Sequence, residues 1–491
     1  MTASFLTMDG IDHDEEEKDI MSSRANKRDY SITGAENALA QQRGLASAEW
    51  YATPIPRRRM KELMQRRNGP AIRDTLLWFA LIIGSGALAV YSWGTWWAVA
   101  AFALYGILHT TPADSRWHEC GHGTAFKTPW MNEIVYQIAS FLILRSATPW
   151  RWSHSRHHSD TYIVGRDPEI LTERPPVWKV LVMEIAHLYG GPIELKRFAL
   201  HCFGKVDKAE NEYIPESERG KTYREARIYL LIFICVIGCA VYWQTWLPVL
   251  LVGLPSFYGT IIVLLLGMTQ HLGLHEDVLD HRLNTRTIYM NGVMRFLYWN
   301  MNYHIEHHMF PMVPYHALPA LHKAMKHDCP PASPGFGAAL KEVFAALWKQ
   351  RSDPSYTIER PLPATAQPYR YGPNYETKQE AHTERDGWIV VGEAAAIGRE
   401  DVIRFDYGQR TFAVYRTDQD EYFATDGLCT HGNGKVHLAD GLVAGHLIEC
   451  PKHNGRFDVK TGEAKRVPAC KALQTYPVQI VDGSIRLYIA P

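Results

Sequence analysis

The stretch WSHSRHHSD (residues 152–160) places three histidines in the pattern H-x-x-H-H. The same pattern returns in NYHIEHHMFP (302–311), and WHECGH (117–122) adds a pair of histidines four residues apart. Side chains at this spacing lie on one face of a helix, with Cβ atoms about 5–6 Å apart. Each stretch therefore predicts a cluster of imidazoles. The eight histidines are His118, His122, His154, His157, His158, His304, His307 and His308.

These histidines favour a metal centre with more than one ion. A single pair of histidines on a helix is more often part of a surface or a core than a metal site, but three clusters together are not easily explained in that way. Imidazole is a suitable ligand for iron, zinc and copper. A structural zinc needs only four ligands, so eight or nine histidines predict two ions. The pattern differs from H-E-x-x-H, which disfavours a zinc peptidase.

Four apolar runs have about the length that crosses a bilayer core. They form two pairs, each with at most a short polar break, and so predict two membrane hairpins. Buried helices of a large soluble protein are the less favoured alternative, because the runs are nearly free of charge. The predicted spans are about 74–94, 95–111, 228–246 and 247–268.

The arginine-rich segment PRRRMKELMQRRNGPAIR (56–73) precedes the first apolar run. Positive charge next to a span favours the cytoplasmic side. Because each hairpin returns the chain to the side from which it started, both termini and all three histidine stretches are predicted to be cytoplasmic. The predicted localisation is an integral, multi-pass membrane protein.

The motifs HECGH, HSRHH and HIEHH, in this order and beside two membrane hairpins, resemble the membrane-bound fatty-acid desaturase and hydroxylase superfamily over about residues 60–330. The resemblance implies a pair of non-haem iron ions that activates O2 and removes hydrogen from an unactivated C–H bond. Within this superfamily, residues 270–287 and 301–322 are similar to hydrocarbon-oxygenase-like proteins of rhizopine catabolism. That narrower resemblance adds the oxygenation or O-demethylation of a smaller molecule as an alternative.

Such families usually have one more metal ligand between the second hairpin and the last histidine motif. His271, His275 and His281 are the candidates, and we expect His275, which follows His271 by four residues and lies close to the predicted membrane exit. Glu119 and Glu306 lie inside the motifs and either orient metal-bound imidazoles or belong to solvated helix faces. The diiron ligands implied by the resemblance are His118, His122, His154, His157, His158, His275, His304, His307 and His308.

A second site is predicted near the C-terminus. GLCTHGNG (427–434) and IECPKHNGRF (448–457) each supply one cysteine and one histidine. From Trp388 onward, short strand-like runs alternate with turn residues, as in a small all-β domain. A zinc ribbon would normally use C-x-x-C or H-x-x-x-H pairs, so zinc is the less favoured alternative. The pairs C-x-H and C-x-x-H allow two thiolates to hold one iron and two imidazoles the other.

With GRFD and DVKTGEA close by, this C-terminal region resembles a Rieske domain. The resemblance implies one [2Fe–2S] cluster, and histidine ligation raises its potential above that of plant-type ferredoxins. Neither loop contains the additional cysteine of an interloop disulfide, so the domain resembles soluble Rieske ferredoxins and oxygenase domains and not the high-potential respiratory type. The cluster ligands implied are Cys429, His431, Cys450 and His453.

The predicted fold class is a multi-domain chain, with an α-helical integral membrane domain of about four transmembrane helices and additional cytoplasmic helices, followed by a small all-β Rieske domain. The formal net charge is zero, from 52 basic and 52 acidic residues, so a general affinity for nucleic acid is not expected. The predicted parts are a disordered cytosolic tail (1–56), a membrane desaturase-like diiron domain (57–350), a proline-rich linker (351–385) and the Rieske domain (386–491).

Together these features predict an O2-dependent oxidoreductase of the desaturase or hydroxylase type, with its electron donor on the same chain. No G-x-G-x-x-G follows a predicted strand and no segment resembles a flavin domain, so a separate NAD(P)H-dependent ferredoxin reductase is expected as a partner. The expected substrate is a membrane lipid or lipid-like alkyl or fatty-acyl chain, which is either desaturated or hydroxylated. An alternative of another class is a non-catalytic membrane protein that transfers electrons or binds metal.

Overall fold

The computed structural model describes residues 28–46, 48–368, 387–431 and 436–489. A helical domain comes first and a small all-β domain follows it, which confirms the predicted order of the two classes. The helices are α1 (Ala35–Gln42), α2 (Arg57–Leu63), α3 (Asn68–Tyr91), α4 (Trp97–His122), α5 (Pro129–Leu142), α6 (Ala147–Ser159), α7 (Trp178–Glu184), α8 (Gly190–Cys202), α9 (Glu216–Tyr242), α10 (Leu247–Leu251), α11 (Pro255–Tyr258), α12 (Ile261–His271), α13 (His281–Asn284), α14 (Gly292–Leu297), α15 (His304–Met309), α16 (Leu318–Met325) and α17 (Phe336–Lys349).

Two segments of the described chain are long and apolar enough to cross a membrane: Arg57–Tyr91, which contains α2 and α3, and α9. Their apolar side chains are often exposed, for example Ile83 at 71% and Leu231 at 62%. The fourth predicted span, 247–268, is divided among α10, α11 and α12. It is interrupted at Gly253, whose φ of +94° departs from helical geometry. The topology of four spans therefore stays a prediction.

The core of the helical domain lies between α3, α4 and α5 and the region of α14 to α16. It contains large buried side chains such as Trp78, Trp117, Tyr136 and Trp299. Arg116 is also buried here, with its guanidinium 4.6 Å from the centre of the Trp299 ring. This core fixes the C-terminal end of α4 next to α15. Consequently, two of the three histidine stretches meet inside the protein.

Residues 28–46 and 48–56 are ordered against the helical domain, which corrects the predicted disordered tail over this part. Trp50 donates its Nε1–H to the carbonyl of Ser159 at 3.0 Å, and the Tyr51 hydroxyl donates to Asp328 at 2.6 Å. The average composition of this segment is acidic and polar, so it does not reveal the few apolar side chains that pack on the helical domain. Leu45, for example, is buried here. The first 27 residues of the predicted tail lie outside the described residues.

The first half of the predicted linker also packs on the helical domain. The backbone N–H of Ile358 donates to the carbonyl of Gly273 at 2.7 Å, and that of Gln367 donates to Asp328 at 2.7 Å. Residues 351–368 are therefore fixed in place. The rest of the linker, from residue 369, lies outside the described residues.

The all-β domain is built from three antiparallel sheets with the orders β1-β11-β10, β2-β3-β4-β9 and β5-β6-β7-β8. Phe405, Phe412 and Leu487 are buried in one of its cores. The strands are β1 (Trp388–Glu393), β2 (Asp401–Tyr407), β3 (Arg410–Arg416), β4 (Tyr422–Asp426), β5 (Leu442–Ala444), β6 (Leu447–Glu449), β7 (Arg456–Asp458), β8 (Ala464–Arg466), β9 (Thr475–Tyr476), β10 (Val478–Val481) and β11 (Ser484–Tyr488). The first cysteine–histidine loop follows β4, and the second joins β6 to β7.

Candidate metal centres

Two helices and the end of a third bring the eight histidines together. The last turn of α4 carries His118 and His122, while α6 and α15 carry the two H-x-x-H-H stretches. All eight of these histidines are buried. This is unusual, because helices so rich in polar residues ordinarily face solvent. The structure thus brings the three stretches predicted from the sequence to one place.

The imidazole nitrogens form two adjacent groups, and within each group the candidate ligand atoms lie within 4.8 Å of one another. Nε2 of His158 is 3.1 Å from Nε2 of His154 and 3.2 Å from Nε2 of His307. His304, beside the second group, has its Nε2 3.1 Å from that of His308. The first group consists of His118, His122, His154, His158 and His307, and the second of His157, His271 and His308.

The chemistry of these groups fits two metal ions. Two nitrogens that share an ion at about 2.0 Å lie about 3 Å apart, as several of these pairs do. In addition, Nε2 of His122 and Nε2 of His271 are buried without a hydrogen-bond partner among the described residues. A buried polar atom without a partner is costly unless something binds it. Two ions would satisfy these lone pairs.

Burial keeps the imidazoles neutral, which is the form that binds metal. It lowers the pKa of His122 to about 3. Burial, reinforced by neighbouring imidazoles, places the pKa values of His118, His158, His307 and His308 well below the usual range. His157 differs: burial acts to lower its pKa, but the charge of Asp167 outweighs this effect and the pKa is raised.

Two of the imidazoles are oriented by hydrogen bonds at Nδ1, the ring nitrogen that does not face the centre. Nδ1 of His157 lies 2.8 Å from Asp167, and Nδ1 of His154 lies 3.0 Å from Glu169. Metal-binding histidines usually donate their second N–H to such carboxylates. Both acids come from the segment after α6 and were not predicted. The sequence RDPE (166–169) was a usable signal, because it places two carboxylates soon after the motif.

Glu119 and Glu306 neither orient the candidate metal-binding imidazoles nor belong to solvated helix faces. Both are fully buried, so they do not belong to solvated faces. Glu119 accepts hydrogen bonds from the Thr124 hydroxyl at 2.7 Å and the Tyr315 backbone N–H at 3.0 Å. Glu306 accepts from the Thr287 hydroxyl at 2.6 Å. Both carboxylates connect neighbouring segments of the helical domain.

His271, and not His275, lies in the second imidazole group. Its Nδ1–H donates to the carbonyl of Asn284 at 2.9 Å, which directs Nε2 inward. The side chain of His275 is 27% exposed and lies 3.4 Å from Glu359, on the outside of the centre. His281 is buried and stacks on Trp50, with ring centres 4.3 Å apart. The structure therefore does not support the expectation of His275 as the additional ligand.

The four cluster residues predicted in the β domain also meet. Cys429 and Cys450 are buried side by side, and Nδ1 of His431 is 3.2 Å from Nδ1 of His453. Burial lowers the pKa of His431 to about 4. Two thiols on one side and two converging Nδ1 atoms on the other fit the ligand set of a Rieske cluster. None of the eight cysteines, all of which lie in the described residues, forms a disulfide.

The cluster loops pack directly against α6. Ser155 Oγ is 3.4 Å from Nε2 of His431, and Ser159 Oγ is 3.2 Å from Nε2 of His453. The His453 ring centre is 6.5 Å from that of His158. Nearby, the side-chain amide of Asn454 donates to the carbonyl of His122. The two candidate centres are therefore neighbours.

Two cavities lie at this contact. A small one, of about 30 Å³, is bounded by His118, His122 and His154 from the helical domain and by His453 and Pro468 from the β domain. An open crevice of about 210 Å³ reaches His431 and His453 from solvent. The β domain thus forms one wall of the space beside the first imidazole group.

Ion pairs hold the two domains together at the edge of this contact. Arg66 and Glu449 are both buried and lie 2.6 Å apart. Burial acts to raise the pKa of Glu449, but the guanidinium groups of Arg66 and Arg456 lower it overall. A second pair, 3.0 Å apart, joins Arg57 to Asp401. Removal of one member of the buried pair would leave an uncompensated buried charge, which costs more than breaking a pair in open solvent.

Comparison with known proteins separates the chain into two parts. Residues 94–338 match the fatty acid desaturase family, and residues 387–477 match the Rieske [2Fe–2S] domain. The ferredoxin component of the naphthalene 1,2-dioxygenase/salicylate 5-hydroxylase systems of Ralstonia sp. is 40% identical over 100 residues, which are 20% of this chain and 93% of that protein.

Two further similarities extend over the helical and the β part, respectively. The endoplasmic-reticulum acyl-lipid omega-3 desaturase (cytochrome b5) of Arabidopsis thaliana is 24% identical over 277 residues, which are 52% of this chain and 69% of that protein. Among solved structures, the ferredoxin of Sphingomonas yanoikuyae B1 is 38% identical and covers 21% of this chain and 97% of its own, with a TM-score of 0.20.

Proposed function

The chain belongs to the fatty acid desaturase family over residues 94–338 and continues into a Rieske [2Fe–2S] domain, and on this basis we propose a function for it. It is an oxidoreductase that uses O2 and electrons from its own Rieske domain to desaturate or hydroxylate an alkyl or fatty-acyl chain. The observation that carries this proposal is the contact between the cluster histidines and α6, the helix with three of the candidate iron ligands.

The proposed iron ligands follow the two imidazole groups. His118, His122, His154, His158 and His307 hold one iron, while His157, His271 and His308 hold the other, with His304 beside it. His271 takes the place for which the sequence favoured His275. The proposed cluster ligands are Cys429, His431, Cys450 and His453. When bound, the iron pair supplies oxygen activation and the cluster supplies single electrons.

The residues of the chain prepare this chemistry in three ways. Burial lowers the pKa of most of these imidazoles and so favours the neutral form, which presents a lone pair. Asp167 and Glu169 fix two of the rings by accepting their second N–H groups. Trp117 and Tyr136 line the small cavity beside His118, and the docked β domain closes it with Pro468. Exclusion of bulk water protects reactive species from side reactions.

The membrane setting is part of the proposal. Arg57–Tyr91 and α9 have the length and apolarity of spans, and their exposed apolar side chains would face lipid. We propose a multi-pass protein with its histidine motifs and Rieske domain in the cytoplasm, and a lipid or lipid-like substrate that arrives from the bilayer. The proposed domain limits are 57–350 for the diiron domain, 351–385 for the linker, whose residues 351–368 pack on the diiron domain, and 386–491 for the Rieske domain.

A separate NAD(P)H-dependent ferredoxin reductase completes the proposed system. The Rieske relative from Ralstonia sp. is the ferredoxin component of dioxygenase systems, so a domain of this kind serves as one part of a longer chain of carriers. In the present chain the carrier is attached to the oxidising domain. The crevice that reaches His431 and His453 gives solvent access to the side on which a reductase would approach.

The proposal is tested by lipid and metabolite profiling of cells that contain the chain and a matching reductase. A product two hydrogens lighter indicates desaturation, and a gain of one oxygen indicates hydroxylation. Release of formaldehyde from a small metabolite would instead favour O-demethylation. The control is His307→Ala, which should remove turnover while the Rieske EPR signal persists. Full activity in this variant, or no O2 consumption by the wild type with reductase and substrates, would overturn the proposal.

A further inference from the structure

Two serines of α6 lie between the two candidate metal centres. In the sequence HSRHHS (154–159), Ser155 and Ser159 are one helical turn apart, and their neighbours in the chain are candidate iron ligands. Each hydroxyl oxygen lies at hydrogen-bonding distance from Nε2 of one cluster histidine, at 3.4 Å for His431 and 3.2 Å for His453. One helix therefore presents ligands to one centre and hydroxyls to the other.

The direction of the hydrogen bond at Ser159 follows from the positions of the ring nitrogens. Nδ1 of His453 faces Nδ1 of His431 at 3.2 Å, so these two atoms are on the cluster side. The neutral ring then carries its proton on Nε2 and donates it to Ser159 Oγ. The Ser159 hydroxyl in turn donates to the carbonyl of Ser155 at 3.1 Å. Both polar groups are thus satisfied in the docked arrangement.

Several contacts fix Ser159 in this position. Its carbonyl accepts the Nε1–H of Trp50 at 3.0 Å, so the N-terminal segment holds the end of α6 from outside. On the other side of the loop, the Asn454 amide donates to the carbonyl of His122. The residue before Ser159 is His158, whose Nε2 is 3.2 Å from that of His307 in the first imidazole group.

We propose that Ser159 is the positioning residue that couples the two metal centres, along the route His453, Ser159 hydroxyl, Ser159 backbone, His158. This inference rests on the proposed function. With both groups bound, each transfer would take one electron from the cluster and give it to the iron pair. Two transfers occur per turnover, and the cluster is reduced again by NAD(P)H through the reductase. Ser155 holds the second cluster imidazole in the same docked position.

A second effect of Ser159 concerns the cluster alone. A group that accepts the second N–H of a ligating histidine makes that ligand more basic, and hydrogen bonding around a cluster sets its potential. Acceptance by Ser159 Oγ therefore stabilises the oxidised cluster and lowers its midpoint potential. This effect is present without substrate or O2 and is measured separately from turnover.

The test compares the full-length holoprotein with Ser159→Ala, Ser159→Thr and the exposed control Ser352→Ala, whose hydroxyl only contacts the carbonyl of Lys349. In Ser159→Ala we expect a higher midpoint potential in an EPR-monitored titration. After rapid mixing of the reduced protein with O2 and substrate, we expect reoxidation of the cluster to be slower by several-fold. Ser159→Thr keeps a hydroxyl and should restore both properties, and Ser352→Ala should match the wild type.

Iron and sulfide content are measured first, so that only fully loaded variants are compared. An unchanged potential together with an unchanged reoxidation rate in loaded Ser159→Ala would overturn the inference. If Ser159→Ala does not load, Ser159→Cys replaces it, and the same two unchanged readings in that variant overturn the inference as well. A shifted potential without O2 consumption by the wild type would instead reject the proposed function and leave the cluster contact standing.

Discussion

His271 reaches the second imidazole group because its helix ends at that residue. It is the last residue of α12, and the next residue, Leu272, has a ψ of 138°. The chain then turns away through Gly273, whose φ is +80°. Spacing of four residues brings side chains together only on a continuous helix. His275 therefore points elsewhere, even though it lies only four positions farther along the chain.

This difference predicts distinct behaviour for two neighbouring histidine variants. His271→Ala removes one of three imidazoles from the second group, so we expect loss of about one iron per chain and loss of turnover. His275→Ala removes a partly exposed ring beside Glu359, and we expect its iron content and turnover to match the wild type. The measurement is iron and acid-labile sulfide per chain, with Rieske EPR to show that the β domain is loaded.

The reverse result, with iron lost from His275→Ala and kept in His271→Ala, would mean that His275, and not His271, is the additional ligand. The Rieske signal is the internal control in both variants. If that signal also disappeared, the substitution would have affected folding, and His271→Gln would be measured instead. Iron content at the wild-type level in His271→Gln would likewise contradict the assignment.

At the residue scale, the sequence identifies candidate metal ligands that share a helix, and it misses hydrogen-bond partners that come from turns. His154, His157 and His158 were found because their spacing within α6 is local and regular. Asp167 and Glu169 were missed, because their contacts with His157 and His154 depend on how the chain turns after α6. The same limit explains why the sequence favoured His275 over His271, since a spacing rule does not show where α12 ends.

At the scale of elements, α6 is the central part of the site. Its residues 154, 157 and 158 face the imidazole groups, while 155 and 159 face the cluster loops. Residues four apart share a face and adjacent residues do not, so one helix can serve both partners. The end of α4 also allows the β domain to approach. Gly123, whose φ is +72°, ends this helix, and a Cβ at this position would collide with the Arg466 side chain.

The loop between α2 and α3 makes an electrostatic contact with β6 that we expect to hold the β domain in place. Replacing Arg66 by alanine removes two hydrogen bonds to the buried Glu449 carboxylate. Hydrogen bonds to charged groups contribute about 1.5–3 kcal/mol each, so the docked state should be weakened by at least that amount. The measurement is hydrogen–deuterium exchange of α6 and of the loop between β6 and β7, which should both become faster.

The matched control is Glu62→Gln, which removes an ion pair in the same region of the chain. Arg59 and Glu62 are 2.9 Å apart, but both are about half exposed. Exposed pairs contribute about 0–1 kcal/mol, so exchange of the same peptides should not change. Equal exchange in wild type and Arg66→Ala would show that this ion pair does not maintain the contact between the domains.

At the scale of the whole molecule, the sequence indicated two domains but not their relative position. Asn454 and His122 are in contact although 332 residues separate them. No local pattern encodes such a contact, because it depends on how two complete surfaces match. The N-terminal segment shows the same limit: Trp50 looked like part of a polar tail, yet it lies against α6 and His281.

The proposed membrane topology makes a prediction for two exposed cysteines. Cys235 lies within α9 and Cys470 lies in the β domain, and both thiols are exposed in the structure. If α9 crosses the bilayer, lipid covers Cys235 in the membrane, whereas Cys470 stays in water on the cytoplasmic side. A membrane-impermeant maleimide should therefore label Cys470 in inside-out vesicles and not in right-side-out vesicles. Cys235 should remain unlabelled in both until the membrane is dissolved and the protein denatured.

Peptide mass spectrometry locates the label, and Cys470→Ser should remove the signal from inside-out vesicles. Labelling of Cys235 in intact vesicles would show that α9 lies outside the bilayer, and labelling of Cys470 from the right-side-out face would reverse the orientation.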